Sequence, residues 1–205
     1  MSRYCSGCGK AKKACICAEV KPIEAKTEVI ILQHPTEVKQ AKGTAKILSL
    51  SLSNSRCFVG EDFTHHAQLN ALLQQKNYTT LLLYPAEKAV EITALASQKE
   101  TESERVRLIV IDGTWKKAFK IYTLSKNLHP LQACKLPPSL CGSYTIRKAP
   151  DNNSLSTVEA GYHALSLLEP EIDFQPLINA FDYMKQFYLE QVPAALVNKH
   201  YKLDK

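Results

Sequence analysis

Four cysteines, Cys5, Cys8, Cys15 and Cys17, fall within thirteen residues near the start of the chain, while Cys57, Cys134 and Cys141 are scattered through the rest. A C-x2-C pair followed by C-x-C can wrap four thiolates around one tetrahedral zinc ion, whereas a disulfide framework is disfavoured in a reducing compartment. Residues 1–20 hold few apolar side chains, so metal binding is expected to supply the order of this segment, at about 10–16 kcal/mol for a structural zinc site. Gly7 and Gly9 suit the first turn between the thiolates. An iron–sulfur cluster, a redox dithiol and an unstructured tail with reactive thiols are the alternatives. The three scattered cysteines are expected as small buried hydrophobes.

A chain of 205 residues, 45% of them hydrophobic, buries one full core with room for a small satellite. No apolar run reaches the roughly 18 residues of a membrane span, and the first residues have no apolar signal region, so a cytoplasmic protein without a membrane partner is expected. The net charge of +6 suits a polyanion but does not require one. Its distribution is more informative. Arg3, Lys10, Lys12 and Lys13 precede the first acid, Glu19, and Lys116, Lys117, Lys120 and Lys126 crowd the stretch after Asp112. For each cluster, RNA contact stands beside a solvated lysine face.

The polar connector from Lys21 to Lys26 places a boundary near residue 22, separating a four-cysteine module, 1–22, from a main domain, 23–205. Thr27 to Gln33, Leu81 to Tyr84 and Leu108 to Ile111 read as short buried strands. Helical patterns cover Glu37 to Leu52, Ala67 to Lys76, Pro85 to Ser97, Thr114 to Leu124, Leu155 to Leu168 and Phe174 to Tyr201. Ser156 and Glu159 have the spacing of a capping box. Strands alternating with helices predict an α/β fold, a mainly parallel sheet flanked by helices.

Such sheets bind ligands at the carboxyl ends of their strands. That directs attention to the loops at Gln33 to Glu37, Tyr84 to Glu87, Asp112 to Trp115 and Leu136 to Thr157. None carries G-x-G-x-x-G or G-x-x-x-x-G-K, so an ordinary dinucleotide site or P-loop has no support. His65 and His66 near Asp62 have poor chelating geometry and are expected in a surface loop.

Asp112-Gly113-Thr114-Trp115 directly after the apolar run RLIVI, then Ser143-Tyr144 leading to Arg147-Lys148, then Leu155-Ser156-Thr157 with Glu159-Ala160, resembles the DTW-domain family. His34-Pro35 with Glu37, the Leu83-Tyr84-Pro85 strand end and the four-cysteine cluster fit the same pattern, so the resemblance runs from about residue 5 to residue 168. It implies a SPOUT-like fold with a C-terminal trefoil knot. The implied activity is that of a tRNA-uridine aminocarboxypropyltransferase, moving the 3-amino-3-carboxypropyl group of S-adenosylmethionine to N3 of a tRNA uridine, at position 47 in bacterial members. The polar stretch from Glu91 to Arg105 has no counterpart in this pattern and is expected as a surface helix and loop.

Under that reading Asp112 is the catalytic candidate, accepting the N3 proton or anchoring the uracil edge; its alternative is a cap on the helix that begins at Thr114. Leu83, Tyr84, Pro85, Gly113, Thr114, Trp115, Ser156, Thr157 and Glu159 are candidates for the donor pocket. Trp115 either stacks on adenine and the sulfonium or packs beneath its loop. Capping alone would explain Ser156 and Glu159. Lys116, Arg147 and Lys148 are the candidates for RNA phosphate contact, and Cys5, Cys8, Cys15 and Cys17 for the metal. For His34 a satisfied structural histidine is expected ahead of a catalytic role, which stands as the alternative. The chain is expected to act as a monomer. A methyltransferase of the same fold and a non-catalytic, zinc-dependent RNA-binding adaptor are the rival readings.

Overall fold

In the computed structural model, residues 2–96, 105–140 and 155–191 are described. Among the described residues, six parallel strands form one sheet, and six α-helices pack on its two faces. The strands are β1 (Glu28–Gln33), β2 (Ser55–Val59), β3 (Tyr78–Leu83), β4 (Val90–Glu91), β5 (Arg105–Asp112) and β6 (Gln132–Lys135), in the order β2-β1-β5-β3-β6-β4. The helices are α1 (Ala45–Ser51), α2 (Ala67–Leu73), α3 (Ile92–Ala96), α4 (Trp115–Leu124), α5 (Thr157–Leu168) and α6 (Gln175–Glu190).

Because side chains alternate along a strand, β1 divides its apolar run between two cores. Val29 and Ile31 join Leu108 and Val110 of β5 under α1, α3, α5 and α6. Ile30 and Leu32 join Ile109 and the helix residues Leu69 and Ile121 on the opposite face. The continuous apolar runs of β1 and β5 are thus the mark of a sheet covered on both sides.

A buried ion pair crosses the second face. Arg107 is fully buried, and its Nε donates to Glu28 Oε2 across β5 and β1 at 2.5 Å. Its other nitrogens reach the Leu72 carbonyl and Gln75 Oε1 at the end of α2, and the guanidinium lies 4.0 Å from the Tyr78 ring centre. Arg56 of β2 completes the set through Glu28 Oε1 at 2.9 Å. One carboxylate therefore links three strands, and the guanidinium docks a helix on them.

Several expected elements have different bounds. The helix expected from Glu37 to Leu52 is a 3-10 turn at Pro35–Glu37, a loop, and α1. Gly43 lies in that loop and Thr44 takes the N-cap position, so the chain is free to line a cavity before the helix starts. The helix expected from Pro85 to Ser97 is a loop, the short β4, and α3. β2 and β6 were not expected: β2 is mostly exposed, and β6 buries only Ala133 and Cys134. Residues 97–104, 141–154 and 192–205, and with them Cys141, Pro193 and most of the polar 91–105 stretch, lie outside the described residues.

The four-cysteine segment packs against the main core. Ile16 is fully buried and Cys8 nearly so, within the same cluster as Val29 and Leu48. Ile23 then bridges to Leu52 at the end of α1.

Arg107→Met removes the buried one of the two cationic partners of Glu28 and the donor to the Leu72 carbonyl and Gln75 Oε1. Urea unfolding should show a loss of about 3–5 kcal/mol, the range for breaking a buried pair, whereas Phe119→Ala on the exposed face of α4 should stay within about 0.5 kcal/mol.

Candidate active site and metal centre

A cavity of about 620 Å³ opens at the carboxyl ends of β3, β5 and β6, within the size range of small-molecule sites. The chain leaves β3 toward α3 on one face and leaves β5 toward α4 on the other. The two connections therefore leave on opposite faces, as expected at a switch point of a parallel sheet.

Asp112, the last residue of β5, forms the floor. It is 5% exposed, and its carboxylate is held from two directions. Gln33, its register partner at the end of β1, donates from Nε2 to Oδ2 at 2.8 Å, and the Thr157 hydroxyl of α5 donates to Oδ1 at 2.5 Å. Thr114, not Asp112, occupies the N-cap position of α4, and its side chain makes no capping bond. Gly113 is demanded by packing: a Cβ there would lie 2.9 Å from Lys117 Cβ.

Other walls come from the predicted segments. Leu83, Tyr84 and Pro85 line the cavity from the end of β3; Gly113, Thr114, Trp115 and Lys116 from the turn into α4; Ser156 and Thr157 from the start of α5. Tyr84 stacks on Tyr122 at 4.4 Å between ring centres, and burial pushes its phenol above the usual range. Trp115 is 53% exposed at the cavity edge, so packing beneath the loop is not its role. Glu159 does not line the cavity. It closes a capping box, accepting from the Ser156 backbone N–H at 2.8 Å while Ser156 Oγ accepts from the Glu159 N–H. Arg147 and Lys148 lie outside the described residues.

Sequence reasoning missed a further wall, Lys42, Gly43 and Thr44. Thr44 Oγ1 also accepts from the Val158 N–H, tying this loop to α5. The loop was hidden because its residues read as part of a helix; Gly43 before Thr44 was the available signal of a helix start. Gln33 opens one of the candidate loops but had no role assigned, because a polar residue ending an apolar strand looks like ordinary solvent exposure.

His34 is buried and structural. Its backbone N–H donates to the Asp112 carbonyl, Nδ1 meets the Thr36 hydroxyl at 2.9 Å, and Nε2 lies 2.7 Å from Glu61. Lys120 also bonds Glu61, and this bond chiefly holds the Glu61 carboxyl below its ordinary pKa. Glu37 pairs with Lys117 at 2.7 Å. His66 caps α2, accepting at Nδ1 from the Leu69 N–H, and Asp62 accepts from the Thr64 N–H, so neither joins a metal cluster.

The metal candidates do converge. The four sulfurs of Cys5, Cys8, Cys15 and Cys17 lie within 4.8 Å of one another, with close separations of 3.5 to 3.8 Å. A tetrahedral ion with Zn–S bonds of about 2.3 Å sets its sulfurs about 3.8 Å apart. The donor set therefore fits one tetrahedral ion, while a multi-iron cluster would need a wider cage. Gly9 takes φ +72°, which turns the chain back after the first pair. Backbone N–H groups of Cys8 and then Gly7 hold the Cys5 thiol down at about 6, while burial and then the neighbouring sulfurs push Cys17 up to about 12. Cys134, by contrast, is fully buried and pushed up to about 12 by burial, so it is an inert wall of the cavity.

Residues 2–189 match the DTW domain. The chain belongs to the DTW-domain family. A DTW-domain relative from mouse, named tRNA-uridine aminocarboxypropyltransferase 2, is 29% identical over 204 residues, covering 97% of this chain and 68% of its own length. A Drosophila melanogaster protein of the same name is 32% identical over 195 residues, covering 91% of this chain and 75% of its own. An Arabidopsis thaliana protein named tRNA-uridine aminocarboxypropyltransferase A is 25% identical over 195 residues, covering 82% and 74%. No solved structure matches this DTW-domain chain significantly.

A double-mutant cycle between Asp112→Ala and Thr157→Val tests the floor of the cavity. Urea unfolding should return a coupling of about 1.5–3 kcal/mol, as for a hydrogen bond to a charged group. Additive losses would mean that the two side chains do not support each other.

Proposed function

We infer that this chain is a tRNA-uridine aminocarboxypropyltransferase that uses S-adenosylmethionine as donor. Relatives of that name align along most of its length. The observation that carries the reading is that the Asp112–Trp115 turn, the centre of the family resemblance, is also the turn that floors and rims the cavity.

In this reaction N3 of uracil attacks the γ-carbon of the donor's amino-acid arm. The C–S bond breaks, methylthioadenosine leaves, and the N3 proton passes to a base or to water. The enzyme must hold nucleophile, carbon and sulfur in line, so most of its work is positional. The first turn of α4 carries no acid, so its amides and dipole suit the donor's carboxylate. Tyr84, Leu83 and Pro85 form the apolar wall for the nucleoside, and Ser156, Thr157, Gly113 and Thr114 line the rest of the donor pocket. Trp115, half exposed at the rim, faces the adenine or the sulfonium by stacking and cation–π attraction. Glu159 acts on the pocket indirectly, by fixing the start of α5.

Asp112 is the catalytic residue of this proposal. Gln33 and Thr157 both donate to it and fix its position. Such a carboxylate is a weak base toward an imide, so it orients the uracil N3–H and passes the proton on, to water for example. Lys116 at the rim, with Arg147 and Lys148, contacts tRNA phosphates. Uridine 47 is the proposed target.

Cys5, Cys8, Cys15 and Cys17 hold a structural zinc ion, which when bound orders the amino-terminal turn. Residues 1–22 form this module and 23–205 the catalytic domain, the module leaning on the domain core through Ile16. The parallel sheet supports a SPOUT-like fold, with the trefoil knot as the topology proposed for its C-terminal part. No helix among the described residues is long and apolar enough to cross a membrane. A cytoplasmic monomer is proposed.

Three measurements test this reading. Unmodified tRNA incubated with S-adenosylmethionine should acquire label from the carboxypropyl group and not from the methyl group; methyl transfer would make the chain a methyltransferase, and no transfer with donor-independent binding would make it an adaptor. Asp112→Ala should lower kcat by about 10²–10⁴-fold, the usual contribution of a proton-handling group, with donor affinity nearly unchanged. The purified protein should carry one zinc per chain, lost on Cys8→Ala, which should also loosen residues 2–20 to proteolysis.

A further inference from the structure

Lys10 sits between Cys8 and Cys15 in the amino-terminal turn, yet it is only 7% exposed. Its ammonium donates to two backbone carbonyls far along the chain, Ala41 at 2.7 Å and Gly43 at 3.1 Å. Those carbonyls flank Lys42, and Lys42, Gly43 and Thr44 are the cavity wall that follows the Pro35–Glu37 turn. The Tyr188 hydroxyl of α6 donates to the same Ala41 carbonyl at 2.9 Å, and Thr44 passes the connection on to the Val158 N–H of α5. One residue earlier on α5, Thr157 holds Asp112.

A buried ammonium held only by carbonyls is costly unless a negative charge lies near. No carboxylate among the described residues pairs with Lys10. The neighbouring charge is that of Cys8, whose thiolate favours the charged ammonium; four thiolates around a divalent ion would carry a formal charge of about −2. The backbone of Lys10 is fixed by the same cluster, because its carbonyl accepts from the Cys5 N–H at 2.8 Å. The side chain thus starts from the metal turn and ends on the cavity wall.

We propose that Lys10 is a positioning residue that couples the four-cysteine site to the donor cavity by holding the 41–44 wall, so that metal loss and loss of this ammonium weaken donor binding by one route. The proposal rests on the reading of the cavity as the S-adenosylmethionine pocket. It gives the amino-terminal module a task in binding the small molecule, separate from any contact with RNA.

The test compares the full chain with Lys10→Met, Lys10→Arg and Lys12→Met, the last removing an equal charge from an exposed position of the same turn. Titration calorimetry of the zinc-loaded proteins with S-adenosylmethionine should give Lys10→Met a dissociation constant about 10-fold higher, within the usual span of coupling between sites. Lys12→Met should match the parent, and Lys10→Arg should recover part of the loss. Zinc content should stay at one per chain in all four. In turnover, KM for the donor should rise while kcat at saturating donor changes by less than about 2-fold, the pattern of lost uniform binding. Chelating the zinc should weaken donor binding in the parent and add little in Lys10→Met.

Hydrogen exchange of the donor-free proteins gives a reading that does not depend on the ligand. Amides 42–44 should exchange about 10-fold faster in Lys10→Met and in the stripped parent, through local opening. Unchanged exchange there, an unchanged donor constant, or an equal effect of metal removal in Lys10→Met and the parent would overturn the proposal. A parent that fails to bind S-adenosylmethionine would overturn the functional reading instead, and the exchange experiment would still decide the coupling. If Lys10→Met does not fold, Lys10→Gln is read against the same outcomes.

Discussion

The carboxylate of Asp112 is the constraint on which the site depends. Placed at the end of the central strand β5 and 5% exposed, it must be compensated, and it is compensated from two separate elements. Gln33 reaches it because β1 and β5 run parallel with these two residues in register. Thr157 reaches it because α5 begins over the strand ends, its start set by the Ser156–Glu159 capping box. The sheet register and the helix position are therefore both written into one buried group, and moving either element would cost the carboxylate one of these two bonds.

From that node the cavity follows. Two helices, α4 and α5, start around it, and loops from β3 and β6 close its sides. Much of its surface is apolar, which suits a nucleoside, while helix amides and the aspartate supply the few directed polar groups that orient a ligand. The metal turn stands outside the cavity but not apart from it. Its Ile16 is buried in the core shared by β1 and α1, and its Lys10 ends on the carbonyls of the 41–44 loop. A segment with little core of its own is thereby attached to the domain by one apolar anchor and one charged one.

The sequence disclosed the parts of this arrangement that rest on strong local signals. The apolar runs of β1 and β5, the C-x2-C and C-x-C spacing, and the Ser156–Glu159 cap each have a physical signature several residues long. The cavity loops after β3 and β5 could be located from them, because parallel strands present their carboxyl ends to one side. What stayed hidden depends on contacts distant in sequence. Gln33 gains its role only through its register with Asp112, and Lys10 only through carbonyls thirty residues away. The edge strand β2 is mostly exposed, and β6 is too short to show a period. Residues 38–44 fit a helical pattern as well as a loop apart from the Gly43–Thr44 start signal, and packing on Lys10 and Tyr188 holds them as a loop.

The central claim is that the Asp112 turn seats a sulfonium donor with its amino-acid arm, not its methyl, turned toward the incoming uridine. A crystal structure of the protein with S-adenosylmethionine tests this most directly. The account predicts adenosine against Tyr84 and Leu83, the donor carboxylate at the start of α4, and the γ-carbon open to solvent beside Asp112. A donor bound with its methyl exposed and the amino-acid arm sealed beneath the cavity wall would contradict it.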